Sequence, residues 1–97
     1  MRARAVHYTL KADRWDDAQS ALRSLLDRIK DQEGLESYTN IANPETGTGT
    51  VISIFTTSEA LEAATPMMKK LLSDLDAYMK LTPIVENGDV VAQIINE

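Results

Sequence analysis

His7 and Tyr8 stand side by side in the segment ARAVHYTL, and they are the two side chains best placed to move or orient a proton. His7 is the single histidine of the chain, and imidazole is the side chain whose unperturbed pKa lies near neutrality. It reads either as a general base or as an interface or partly exposed histidine. Tyr8 shares parity with Val6 and Leu10, so it should face the protein interior. There its hydroxyl could orient a ligand while its ring packs. Tyr38 and Asn40 fall on a second strand-like segment, and Phe55 ends a third. Trp15 and Tyr78 fall on helical segments. Together the aromatic residues could line a flat apolar pocket, with an indole N–H, a hydroxyl or the Asn40 amide fixing orientation. Core packing is the alternative for each, and for Trp15 helical spacing favours it. Met67 and Met68 follow a Thr65-Pro66 break, where they read as an adaptable lid or as gap-filling core.

Other chemistries find no support. Asp13, Asp16 and Asp17 suit a helix cap and the positive end of a helix dipole. Asp74 and Asp76 are two apart and do not share a helix face. Gly47-Thr48-Gly49 looks like the start of a phosphate loop, but it precedes a strand and lacks the third glycine, so it reads as a turn. With one histidine and no cysteine, no thiolate nucleophile or Ser-His-Asp set is expected, and no metal site. A net charge of −5 argues against nucleic acid and against anionic membrane surfaces. MRARAVHYTL has no apolar leader core, and no run approaches the roughly 18 apolar residues of a membrane span. The expected location is cytoplasmic.

The elements that must position these residues follow from periodicity. Residues 3–10 alternate as a first strand, with Val6, Tyr8 and Leu10 on one face and Ala5, His7 and Thr9 on the other. Asp13 is the expected cap of a helix carrying Trp15, Ala18, Leu22, Leu25, Leu26 and Ile29, and Gly34 is its left-handed stop. Leu35–Ala42 is the second strand, Asn43-Pro44-Glu45-Thr46-Gly47 a turn, and Thr50–Thr56 the third strand. Ser58 caps a second helix, which Pro66 divides or kinks. Pro83 ends it. Leu81–Val85 and Val90–Ile95 are strand-like, and the Asn87-Gly88 pair between them is a hairpin signal.

The order is that of a ferredoxin-like βαββαβ α+β fold, an antiparallel sheet with its helices on one face, in a single domain spanning 1–97. The third strand is apolar at both parities: Val51 and Phe55 on one, Ile52 and Ile54 on the other. Helices can cover one set. A second copy of the chain, stacked sheet to sheet about a two-fold axis, would cover the other. A homodimer is therefore expected.

The chain resembles the antibiotic biosynthesis monooxygenase-like family of dimeric α+β barrels. The likeness is carried by Gly34-Leu35 entering the second strand, by the Asn43-Pro44 turn, and above all by Ile54-Phe55-Thr56-Thr57-Ser58-Glu59-Ala60-Leu61. It implies a homodimer with a cavity in each subunit between sheet and helices. It also implies an oxygenase that needs no cofactor and acts on hydrophobic, quinol-like aromatics. In that reading Tyr8 and His7 orient and deprotonate the substrate, and Trp15, Phe55 and Met67 exclude water. Haem-degrading members are similar too, but this chain departs from them. Phe55 stands where the family has tryptophan, and Lys69-Lys70-Leu71-Leu72 occupies the region of the iron-binding histidine. These departures favour a second expectation, a non-catalytic homodimer that binds a small hydrophobic molecule or serves as an accessory subunit. An association module without a ligand is a third.

Overall fold

In a computed structural model describing residues 1–96, strands β1 (Arg2–Thr9), β2 (Leu35–Asn43), β3 (Thr48–Phe55) and β4 (Ile84–Asp89) form one antiparallel sheet in the order β2-β3-β1-β4. Helices α1 (Trp15–Ser24), α2 (Leu26–Lys30) and α3 (Ser58–Asp74) pack on one face, with short 3-10 turns at Ala12–Arg14 and Asp76–Tyr78. This is the ferredoxin-like arrangement. No helix among the described residues is long and apolar enough to cross a membrane.

Register decides what each strand shows the helices. Arg4 pairs with Ser53, Val6 with Val51 and Tyr8 with Gly49 across β1 and β3. Tyr38 and Asn40 of β2 oppose Ser53 and Val51. Because side chains alternate, these residues share the inner face. Val6, Tyr8, Leu10, Ala18, Ile29, Phe55, Leu61, Ala64 and Leu75 form the buried core. Ala5, His7, Ile52 and Ile54 project from the opposite face, as the parity of β1 and β3 requires. Among the described residues no element covers that face: Ile52 and Ile54 are half-buried, and Ile41 and Ile84 are 59% and 62% exposed.

Several local expectations are corrected. Asp13 caps nothing; it sits in the first 3-10 turn, and α1 starts at Trp15 without a side-chain cap. The first helical region is interrupted at Leu25 and ends at Lys30, short of Gly34. Gly34 does adopt the left-handed conformation, with φ of 79°. A Cβ there would lie 2.5 Å from that of Ala60, so the turn also needs glycine for close approach to α3. The cap of α3 is Thr57, whose hydroxyl accepts from the Ala60 N–H at 3.1 Å, rather than Ser58. Helix α3 runs unbroken through Pro66. A proline at that point removes the donor to the Glu62 carbonyl, but Glu62 is exposed and water can take the donor's place. Asn87-Gly88 makes no hairpin: both residues lie inside β4, opposite Arg4 and Ala3. Residues 90–96 form no strand, and Val91, Ile94 and Ile95 are exposed.

Candidate functional site

Between the sheet and the helices lies a cavity of about 90 Å³. Its sheet side is made by Arg4, Val6 and Tyr8 of β1, Tyr38 of β2, and Val51, Ser53 and Phe55 of β3. Leu22, Ile29, Met68, Leu71, Leu72 and Leu75 close it from the helices, with Gln32 and Met79 from connecting segments. The lining is apolar apart from a few convergent polar groups, which is the pattern of a small-molecule site. A cavity of ~150 Å³ admits benzene, so a one-ring ligand requires the wall to give. Met68 and Met79 are the side chains whose unbranched stems allow that.

Tyr8 is 5% exposed, and its hydroxyl both donates and accepts a hydrogen bond. It donates to Asn40 Oδ1 at 2.7 Å and accepts from Gln19 Nε2 at 3.2 Å. Asn40 Nδ2 donates to Gln19 Oε1 at 3.3 Å, closing a ring of three side chains. Strands β1 and β2 and helix α1 are tied together by this ring. It also commits the Tyr8 proton to Asn40, so that acid–base work by this hydroxyl would first have to open the ring. Tyr38 differs. Burial, and then the nearby Tyr8, push its hydroxyl pKa up from the ordinary value. At neutral pH it remains a proton-carrying hydrogen-bond donor on the cavity wall.

The nine residues singled out by sequence divide into groups. Tyr8, Tyr38, Phe55 and Met68 line the cavity. Asn40 touches it only through the Tyr8 hydroxyl. Trp15 and Tyr78 pack against the cluster of Tyr8, Leu10 and Ala18 outside the cavity, and the Arg14 guanidinium lies 4.7 Å from the Tyr78 ring centroid. Met67 lies outside it as well, its sulfur accepting from Gln32 Nε2 at 2.9 Å. His7 is on the other face of the sheet. Its Nδ1 is 3.1 Å from Thr50 Oγ1, and its Nε2 is 3.5 Å from Glu86 Oε1. Strand alternation therefore points the His7 and Tyr8 side chains to opposite faces of the sheet. His7 instead borders an open hollow of about 400 Å³ with Ile41, Thr50 and Ile84.

Sequence reasoning missed Arg4, Gln19, Gln32 and Ser53. Arg4 was legible in part: it has the parity of Val6 and Tyr8, so alternation aims it inward. Ser53 shares the parity of Val51 and Phe55. Gln19 and Gln32 carried no signal, since a glutamine on or after a surface helix reads as solvated.

No family model matches the chain, and no curated protein is similar to it in sequence. Solved structures are similar to it in shape. One, an antibiotic biosynthesis monooxygenase, superimposes with a TM-score of 0.79 at 18% identity, over 95% of this chain and 100% of its own. A Caulobacter crescentus protein provisionally given that name aligns with a TM-score of 0.80 at 17% identity, over 94% of this chain and 90% of its own. A Nitrosomonas europaea protein of unknown function aligns with a TM-score of 0.83 at 16% identity, over 99% and 94%. Likeness at such identities concerns the backbone: the chain has the ferredoxin-like α+β fold of the antibiotic biosynthesis monooxygenase-like proteins.

Proposed function

We propose that the protein is a small oxygenase that needs no cofactor and acts on a hydrophobic, quinol-like aromatic held between sheet and helices. The observation that carries this reading is the apolar cavity walled by Tyr8, Tyr38, Phe55 and Met68, in a fold shared with proteins named as monooxygenases. The substrate supplies the electrons: dioxygen delivers one atom to it and the other leaves as water. Tyr38 donates a hydrogen bond to the substrate oxygen, and the aliphatic wall excludes bulk water. His7, on the opposite face, takes no part. In an oxygen-electrode assay with a panel of one-ring hydroquinones, uptake should saturate with substrate. Tyr38→Phe should lower it about tenfold, the worth of one charge-assisted hydrogen bond. His7→Ala should leave it unchanged. Uptake equal to the protein-free rate across the panel would sink the oxygenase reading.

A second reading has its own support. Among the described residues no carboxylate, imidazole or thiol lines the cavity, and the Tyr8 hydroxyl is already paired. Saturable binding without turnover would make the protein a small-molecule binder of the same fold.

The uncovered sheet face supports a homodimer. Ile52 and Ile54 lie at its centre with Ala5 beside them, and apolar surface of that kind is worth roughly 25 cal/mol per Å² when buried. Native mass spectrometry should return twice the chain mass of 10.7 kDa. Ile52→Glu, which would place a charge inside such an interface, should return a folded monomer. A wild-type monomer at micromolar concentration would remove the dimer.

A further inference from the structure

We infer that Arg4 is the head-group receptor of the cavity and that the ligand carries an oxyanion, carboxylate or phenolate, on a one-ring apolar body. The inference rests on the cavity being the ligand site. Arg4 sits on the cavity wall and is 4% exposed. Its partners are neutral. Nε donates to Asn87 Oδ1 at 3.1 Å, and Nη2 donates to Thr65 Oγ1 at 2.6 Å and to the Leu61 carbonyl at 3.4 Å. The ion pairs among the described residues join Arg2 to Asp89, Arg14 to Asp17 and Lys30 to Asp27, and neither these nor the His7–Glu86 contact includes Arg4. A buried charge is ordinarily paired with its opposite, and a guanidinium stays protonated at neutral pH even where burial lowers its pKa, as it does here.

Fixing β1 to β4 and α3 accounts for Nε and Nη2. It does not account for Nη1, which makes no hydrogen bond to a described residue. Nor does it account for the charge, since a neutral donor could hold the same oxygens. An oxyanion in the cavity would accept from Nη1 and neutralise the guanidinium, and Tyr38 and Ser53 share the wall. The same contact offers a reason for the absence of a base: a phenol bound against a cation ionises more readily.

The test is calorimetric titration with matched probes that differ in charge: benzoate against benzamide, and 4-nitrophenolate against 4-nitroanisole. The charged member of at least one pair should bind about tenfold more tightly or better, the worth of a hydrogen bond to a charged group. Arg4→Met should abolish that preference and Arg4→Lys should keep part of it, so a variant that fails to fold does not decide the matter alone. The pair that discriminates names the head group as carboxylate or phenolate. Equal binding within both pairs, or a preference that survives in Arg4→Met, would overturn the role of Arg4 and leave the cavity as the site. No binding of any probe would overturn both.

Discussion

Replacing Gly49 with alanine is expected to cost about 2 kcal/mol, within the range for overpacking. That is a melting temperature roughly 10 °C lower for a domain of this size. Gly49 faces Tyr8 across the β1–β3 ladder, and the phenol ring lies over its Cα. A Cβ at Gly49 would stand 2.2 Å from both Cζ and the hydroxyl oxygen of Tyr8. The far end of an aromatic side chain usually swings away at little cost. This one is buried and held by Asn40 and Gln19. Moving the ring therefore breaks the hydrogen-bonded ring of three and shifts a wall of the cavity. Urea denaturation would measure the first effect and probe binding the second. An unchanged urea midpoint would mean that the Tyr8 ring is not pinned. Loss of stability with probe affinity intact would detach the Tyr8–Asn40–Gln19 ring from the site.

Phe55→Ala should be the most damaging single truncation, at about 3–5 kcal/mol. Phe55 is 2% exposed and packs with Leu61, Ala64, Leu35 and Ala60, where the end of β3 meets α3. A small domain has about 5–15 kcal/mol in all, so the variant should be partly unfolded at 37 °C. Phe55 is also a wall of the cavity, so the folded fraction has room for a larger ligand. Phe55→Leu should lose no more than about 1.5 kcal/mol, because most of the volume is kept. Equilibrium unfolding monitored by Trp15 fluorescence compares the three proteins. A loss below about 1 kcal/mol for the alanine variant would mean that this end of the core collapses onto the space and is not well packed.

The sequence by itself determined the element order, the α+β class and the face each strand residue presents. Strand alternation has a period of two, so Val6, Tyr8 and Leu10, or Val51 and Phe55 against Ile52 and Ile54, sort themselves without tertiary information. The left-handed Gly34 was legible for a similar reason, since it is a local backbone demand. What sequence could not decide depends on partners far along the chain. Asn87-Gly88 reads as a hairpin locally. It became part of β4 because Arg4 and Ala3, more than 80 residues earlier, offer a ladder that residues 90–96 do not. Pro66 reads as a break, yet α3 passes through it because Glu62 faces solvent. His7 and Tyr8, adjacent in sequence, were separated by the thickness of the sheet once helices covered one face alone. The largest gap concerns Arg4. Alternation aimed it inward, but nothing local in MRARAV says what the guanidinium meets there. Only the tertiary structure, bringing Asn87, Thr65 and the Leu61 carbonyl around it, turned a surface charge into a buried cation on the wall of a cavity.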